Sequence, residues 1–399
     1  MKRGILGASV AFAVVFPLLV LAASPGRLLP IFPRYRYEPL AGDTYGYYYC
    51  VREILVAPRR HPLAVALAVV LAVVLVLVAR RVVRDRTWRL LAWWWALGVV
   101  AAALAAAVRF SGAPQFGWPL VWSVPMVPLR VVGLVGPNAA FVPGLVLSLA
   151  CNVATIVAAY SIGWRGGLRP QVAGAGAALV AFWPLLSPLT GPKAGWNGQW
   201  QDYLGVSNYT EPLSTALVTV SLALLLRREA ADRFAAAGAG GLLGLATLVR
   251  VSNALIAGVA LVWLVYRRAW GAAAAFASAS LAWAAAVAFY WPKGYPKLGP
   301  PTFPRHPFAL AYAGDSWAHS YLWHPAVLAV LVPLAGAGAL WVRRRAALLL
   351  VGAILATALF YTFYRDTPIH PRFLYVVLPS TFVLVAAGVE ALIARVERR

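Results

Sequence analysis

The sequence predicts an all-α membrane protein, a polytopic helical bundle of about twelve transmembrane helices. Of its 399 residues, 62% are hydrophobic and only 12% are charged, whereas soluble domains carry about 25% charged residues. Apolar runs of about 20 residues recur along the chain, and this is the length that crosses a bilayer core about 30 Å thick. Short basic runs such as Arg80–Arg81 and Arg343–Arg345 separate many of these segments, as in the cytoplasmic loops of multi-pass membrane proteins.

The net charge of +23 has the same origin, because many of the cations lie in those short loops between apolar segments. A nucleic-acid-binding protein instead clusters its cations on one face, so we do not expect nucleic acid among the partners. The two cysteines, Cys50 and Cys151, fit neither a disulfide framework nor a zinc site. Both are expected to be packing residues.

Twelve apolar segments account for the predicted spans, with both termini in the cytoplasm. The first, residues 5–23, also resembles a signal peptide, but the many membrane segments that follow favour an uncleaved span. The other spans are predicted at 63–80, 90–108, 139–161, 172–189, 210–226, 234–250, 253–267, 270–291, 325–342, 346–363 and 372–392.

Four segments on the predicted outer side are long or chemically unusual: 24–62, 109–138, 190–209 and 292–324. Within the second, residues 114–137 are apolar but contain four prolines before Gly136, and we predict an interfacial or re-entrant segment. A further span there would place the basic loop "GWRGGLR" outside, against the charge rule. Polar residues concentrate at the outer ends of the spans, whereas a transporter usually keeps its key polar groups at mid-membrane. We therefore expect chemistry or recognition at the outer face of the cell membrane.

The first outer loop contains "YEPLAGDTYGYYYCVREIL". From Asp43 onward it is predicted to form a short amphipathic helix on the membrane, because Tyr45, Tyr48 or Tyr49, and Arg52 share one helical face. Tyrosines suit such an interface, since their rings tolerate lipid and their hydroxyls need water. Asp43 has two interpretations that the residues leave open. It is either the N-cap of this helix or a general base that takes a proton from an acceptor hydroxyl.

A second group of candidates lies in "GWNGQWQDYLGVSNYTEPL", just before a predicted span. It combines acids with flat aromatic rings on which a sugar or lipid can stack. The alternative is an aromatic belt in which Glu211 occupies the first turn of a helix, where acids are favoured. The candidate substrate-binding residues of this segment are Trp196, Asp202, Tyr209 and Glu211.

The third candidate is Arg250, in "GLATLVRVSNAL" at the outer turn between two predicted spans. An ionisable residue at such a depth is a functional candidate by default. Its natural partner would be an anion, such as a lipid phosphate. The alternative is a turn marker or an Arg that reaches the membrane surface.

The fourth group is "YRDTPIHPRFLYVVLP", a short outer loop before the last span. Arg365, His370 and Arg372 could grip a phosphate or pyrophosphate. The alternative is a local pair between Arg365 and Asp366. The histidines form no helical metal-ligand pair, so we assign no metal ligands, although a divalent cation at the outer acids stays open.

In order along the chain, these segments resemble the GT-C superfamily of integral-membrane glycosyltransferases, of the protein mannosyltransferase or aminoarabinose transferase type (family 39-like). The corresponding segments here are "GDTYGYYYCVREIL", "GAPQFGWPLVWSVP", "GLATLVRVSNAL" and "HPRFLYVVLP". In addition, "NYTEPL" is similar to the "YSEPL" segment that precedes a span in such enzymes.

The resemblance implies transfer of a sugar from a polyprenyl-phosphate donor to a lipid, glycan or protein acceptor on the outer face. It implies that Asp43 is the catalytic acid of the first loop, and that Arg250 and Arg372, with His370 adjacent, bind phosphate. A single displacement with Asp43 as base would invert the anomeric carbon. The first loop departs from the family because it lacks the paired acid of many members, and the nearest other acid is Glu38. The absence of a large C-terminal soluble domain suggests a lipid or small-glycan acceptor.

Three other classes stay open at this point. The chain could be a lipid-glycan flippase or other transporter, although Asn152 is one of the few strongly polar residues deep in a span. It could be another envelope-lipid transferase, or an O-antigen ligase or polymerase, for which Asp43 need not be essential. It could also be a structural subunit of an envelope complex. The sequence predicts neither the sugar nor the oligomeric state.

Overall fold

The computed structural model of the protein describes residues 4–22, 43–109, 115–134, 136–190, 210–227, 232–294, 309–318, 327–364 and 374–398. Within these ranges every regular element is a helix, which confirms the predicted all-α class. The helices are α1 Gly4–Ala22, α2 Asp43–Arg60, α3 Pro62–Val82, α4 Arg86–Ala107, α5 Gly117–Val131, α6 Pro137–Arg165, α7 Pro170–Thr190, α8 Glu211–Leu225, α9 Arg233–Val249, α10 Asn253–Tyr266, α11 Trp270–Leu281, α12 Ala284–Gly294, α13 Tyr312–Ala318, α14 Val332–Trp341, α15 Arg344–Thr362 and α16 Leu378–Val396. A π-helical turn, Val327–Leu331, precedes α14, and a 3-10 turn, Tyr375–Val377, precedes α16.

The apolar helices support a membrane protein. Among the described residues, six helical segments are long and apolar enough to cross a bilayer, and five further apolar helices are shorter. The six are Pro62–Val82, Arg86–Ala107, Ala140–Arg165, Trp270–Trp291, Arg344–Thr362 and Tyr375–Val396. Each predicted span overlaps a helix. The span predicted at 270–291 is divided between α11 and α12, and the one predicted at 325–342 contains the π-helical turn and α14. The total of twelve transmembrane helices stays a prediction.

Local sequence signals explain several helix ends. Asp85 caps the start of α4, where its Oδ1 accepts a hydrogen bond of 2.6 Å from the Thr87 N–H. Asp232 caps α9 in the same way, with two backbone N–H groups of the first turn donating to it. Such caps satisfy amides that have no partner within the helix. Gly133 and Gly167, which follow α5 and α6, have φ of 81° and 101°, a conformation that glycine adopts without strain.

Helix α2 is longer than the sequence predicted, because it continues past the expected amphipathic stretch to Arg60 and is followed almost directly by α3. Its two-sided character is confirmed. Tyr47, Cys50 and Val51 are buried, whereas Tyr49 and Arg52 are exposed. The guanidinium of Arg52 lies 5.9 Å from the centre of the Tyr49 ring. Placement of this helix at the membrane surface stays a prediction.

The proline-rich outer segment also contains a regular helix, α5, with Pro125 and Pro128 inside it. Its 15 residues correspond to about 22 Å at 1.5 Å per residue, which is shorter than a bilayer core. Trp122 is fully buried, and its Nε1 donates to the Ala140 carbonyl at 2.9 Å. The interfacial or re-entrant position predicted for the segment is not tested by these contacts.

Contacts group the chain into two compact units, each assembled from separate stretches of sequence. Unit 1 comprises residues 1–39, 148–207 and 306–399, and unit 2 comprises 40–147 and 208–305. The interpretation of the chain as a single transmembrane domain stays a prediction.

Small residues allow close helix packing within each unit, as is common between membrane helices. In unit 2, Gly240 of α9 lies against the Phe276 backbone of α11, and Gly241 lies against the Trp94 ring of α4. In unit 1, Gly338 of α14 faces the backbone of α16. Any side chain at these glycines would overlap its neighbour, so the helix register in each unit is fixed at these positions.

Candidate functional site

The candidate site lies in unit 2, where the ends of several helices meet. The Lys293 ammonium, in the last turn of α12, donates hydrogen bonds to the carbonyls of Ala105, Ala106 and Val108 at the end of α4. A cation at this position satisfies carbonyls that have no partner within the helix. These ends are the ones that the arginine distribution predicts to be on the outer side of the membrane.

A buried ion pair is the central feature of this site. Glu211 is the first residue of α8, and Arg250 directly follows α9 in an extended conformation with φ −149° and ψ 118°. An Nη1 atom of Arg250 lies 3.2 Å from Oε1 of Glu211. The two side chains are only 9% and 2% exposed. The sequence identified both residues as separate candidates, and the structure brings them together.

Buried polar groups surround this ion pair. The Thr210 hydroxyl donates to Oε2 of Glu211 at 3.4 Å. Asn253, fully buried at the start of α10, donates from Nδ2 to the Ser214 Oγ and to the Ala246 carbonyl, both at 2.8 Å. These bonds tie the turn after Arg250 to α8 on one side and α9 on the other. Within the described residues, Oδ1 of Asn253 has no hydrogen-bond partner.

Sequence reasoning named neither Asn253 nor Ser214. The signal in the sequence was Asn253 itself, a polar amide residue in "RVSNAL" at the start of an otherwise apolar helix. A buried amide almost always has hydrogen-bond partners, and here the partners come from two other helices.

A glycine contact brings α5 against the end of α9. A Cβ added at Gly117 would lie 2.5 Å from the Val249 backbone nitrogen. Only a residue without a side chain permits this approach. The start of the proline-rich segment therefore lies beside the residue that precedes Arg250.

Helix α2 joins the same group of helix ends. The Tyr47 hydroxyl donates to Oε1 of Gln115 at 3.0 Å. Cys50 lies 3.6 Å from the hydroxyl of Tyr290, which in turn stacks against Phe116 with ring centres 4.9 Å apart. Cys50 is thus a buried packing residue, as the sequence predicted.

The backbone places Asp43 as the first residue of α2, one helical turn before Tyr47. Tyr45 lies in the same first turn. This backbone position does not test the two interpretations of Asp43, helix cap and general base, and both stay predictions.

A cavity of about 290 Å³ between α2 and α5 is lined by two arginines, neither of which the sequence predicted as a binding residue. Its lining includes Tyr48, Arg52, Met126 and Arg130. Burial raises the pKa of Tyr48, and the neighbouring positive charge of Arg52 partly opposes this rise. Tyr48 therefore keeps its proton at neutral pH and can donate a hydrogen bond. Two guanidinium groups and a phenol are suited to an anionic group such as a phosphate.

The remaining candidates from the sequence, which carry most of the predicted sugar and phosphate contacts, lie outside the described residues. They are Glu38, Trp196, Asp202, Tyr209, Arg365, His370 and Arg372. In the part of the chain that the structure describes, no group of three or more His, Cys, Asp or Glu side chains could hold a metal ion.

The fold and this site together define a helical membrane protein with a buried Arg–Glu pair where the helix ends of unit 2 meet. A comparison with models of protein families finds no match to the chain, and a sequence comparison with curated proteins also finds none.

Proposed function

We propose that the protein is a membrane glycosyltransferase of the hexosyltransferase class. It would move a sugar from a polyprenyl-phosphate donor to an acceptor on the outer face of the cell membrane. The observation that carries the proposal is the packing of distant segments within unit 2. The described parts of "GDTYGYYYCVREIL", "GAPQFGWPLVWSVP", "NYTEPL" and "GLATLVRVSNAL" meet there, and these are four of the segments on which the resemblance to GT-C enzymes rests.

In the proposed reaction, the acceptor hydroxyl oxygen attacks the anomeric carbon while the bond from that carbon to the phosphate oxygen breaks. The hydroxyl proton goes to the Asp43 carboxylate, and the polyprenyl phosphate leaves with the bonding electrons. One displacement inverts the anomeric carbon. General bases of this kind contribute about 10²- to 10⁴-fold to the rate.

Cations offset the negative charge that builds on the leaving phosphate, and such electrostatic stabilisation is usually the largest catalytic effect. Arg250 is a candidate for this role, and Glu211 would hold its guanidinium in position. Arg52 and Arg130 extend the positive surface in the cavity beside α2. Arg365, Arg372 and His370 are further phosphate-binding candidates, and Trp196, Asp202 and Tyr209 would contact the sugar.

The partners that this proposal requires are a lipid-linked sugar donor and a membrane-lipid environment. No dedicated cofactor is assigned. A divalent cation at the outer acids is tested by adding a chelator to the transfer assay.

The test is a transfer assay with purified wild type, Asp43→Asn and Arg372→Ala, using radiolabelled polyprenyl-phosphate sugars and a membrane-lipid extract. Asp43→Asn should lose at least about 100-fold in rate while its thermal unfolding stays unchanged. Glu53→Gln is the matched control, because it removes a carboxylate from the same helix at a residue that pairs with the partly exposed Arg60. Equal rates for Asp43→Asn and wild type would make Asp43 a helix cap and refute its role as base.

One observation also favours a second candidate, another envelope-lipid transferase. The cavity with Arg52 and Arg130 suits a lipid phosphate whichever bond is broken. The same assay separates the two classes, because an acyl transferase would leave the labelled sugar on its donor, and a phosphoryl transferase would move the sugar together with its phosphate.

A further inference from the structure

A second cavity, larger and of different character, lies in unit 1. It has a volume of about 610 Å³ and is bordered by α1, α7 and α16. This volume is within the range of about 300–1,000 Å³ that is typical of small-molecule sites. Most of its wall is apolar, with Leu179 and Phe182 from α7 and Val385 and Val389 from α16. The wall is suited to a hydrocarbon chain.

The charged residues that line this cavity are Arg169, Glu390 and Glu397. Nε of Arg169 lies 3.2 Å from Oε1 of Glu390. The Arg169 side chain is 67% exposed, whereas that of Glu390 is 8% exposed. The pair is therefore asymmetric: the arginine reaches outward, and the carboxylate lies inside.

One carboxylate oxygen of Glu390 lacks a hydrogen-bond donor. Its second oxygen, Oε2, is buried and has no hydrogen-bond partner among the described residues. An ionised carboxylate accepts at both oxygens, and leaving one of them buried without a donor is costly. A donor that enters the cavity from its open side would satisfy this oxygen.

We propose that this cavity binds a phospholipid with a primary ammonium headgroup, a phosphatidylethanolamine. The ammonium would donate to Oε2 of Glu390, the phosphate would lie against the exposed guanidinium of Arg169, and one acyl chain would follow the apolar wall. The cavity is lined by one cation, Arg169, and two carboxylates, Glu390 and Glu397. A headgroup that carries both an ammonium and a phosphate therefore finds a partner for each of its charges.

Other common headgroups match less well. A choline head carries a positive charge but no N–H to donate, and a glycerol head carries a phosphate with no cation for the carboxylate. The polar end of the cavity is also the end that the arginine-rich loops predict to be cytoplasmic, so the lipid would come from the inner leaflet. This site is separate from the proposed glycosyl-transfer chemistry and does not depend on it.

The experiment is native mass spectrometry of the full chain in detergent, titrated with phosphatidylethanolamine, phosphatidylcholine or phosphatidylglycerol of identical acyl chains. Wild type should bind phosphatidylethanolamine at least about 10-fold more tightly than phosphatidylcholine, because only the former donates hydrogen bonds. Glu390→Gln should abolish this preference. The control Glu53→Gln removes a carboxylate outside unit 1 and should leave the preference unchanged.

A second variant keeps the proposal testable if Glu390→Gln does not fold. Ala175 lines the cavity and is exposed, so Ala175→Trp fills the space without displacing the buried core. This variant should lose binding of phosphatidylethanolamine while its unfolding temperature is retained.

Three outcomes would overturn the proposal. The first is an unchanged lipid preference in Glu390→Gln or Ala175→Trp. The second is equal binding of the ethanolamine and choline lipids by wild type. The third is binding that appears only after Lys2→Gln and Arg3→Gln, which would show that a cation from the start of the chain satisfies Glu390.

Discussion

The buried pair of Glu211 and Arg250 gives the sharpest prediction. We consider Glu211→Gln, Arg250→Met and the double variant. At 3.2 Å and an effective dielectric constant of about 20, the attraction is roughly 5 kcal/mol. The loss of hydration on burial, which is several kcal/mol for each ion, offsets much of this gain. Removing one partner leaves the other charge buried and alone, so each single variant should lose about 3–5 kcal/mol of unfolding free energy.

The double variant leaves no uncompensated charge, and we expect it to be more stable than the sum of the single effects predicts. The coupling energy should be at least about 2 kcal/mol. Unfolding in mixed micelles can be followed by the fluorescence of the 17 tryptophans. The surface pair of Glu53 and Arg60 is the matched control, and its coupling should be below about 1 kcal/mol.

Additive effects at Glu211 and Arg250 would refute this reasoning, because they would mean that the two charges do not interact in the folded protein. The same variants also separate structure from chemistry. If Arg250 binds the donor phosphate, the double variant should recover stability without recovering glycosyl transfer. If Arg250 is purely structural, stability and activity should recover together.

The remaining predictions concern a glycine and a helix cap. Gly117→Ala should destabilise unit 2 by about 1–3 kcal/mol through overpacking, since a Cβ there meets the Val249 backbone; Gly258→Ala, with nothing within 4 Å, is the control and should not destabilise. The hydrogen bond from the Thr87 N–H lowers the pKa of Asp85. At pH values above the ordinary aspartate pKa, ionised Asp85 therefore stabilises the folded state. This stabilisation is lost as the pH falls through the lowered pKa that Asp85 has in the folded protein. Melting curves of wild type and Asp85→Asn should accordingly differ least in acid, and a constant difference from pH 7 to acid would contradict this.

The helices were predictable because their signals are local. An apolar run is recognised from consecutive residues, and each predicted apolar segment overlaps a helix. Glu211 was placed correctly as a first-turn acid, and Arg250 was placed correctly at a turn between two helices.

The ion pair between Glu211 and Arg250 was not predictable, because it depends on the relative register of α8 and α9. Periodicity indicates which face of a helix is apolar, but not which neighbour covers that face. The same reason explains why Arg52 and Arg130 were not predicted as binding residues: they are far apart in the sequence, and only the packing of α2 on α5 brings them to one cavity. The length of α2 was underestimated because the prediction covered only the amphipathic stretch up to Leu55, whereas the helix continues to Arg60 with Pro58 in its last turn.

The order of unit 1 along the chain has a consequence for biosynthesis. This unit needs α1 and α7 from the first half of the chain and α16 from its end. At about 5–20 residues per second, the ribosome requires roughly 10–40 s to reach α16 after it has completed α7. During that interval α7 has no α16 to pack against, and Arg169 has not yet met Glu390. Completion of unit 1 therefore waits for the synthesis of α16, and a nascent chain that stops before Leu378 would present the insertion and quality-control machinery with an unfinished bundle.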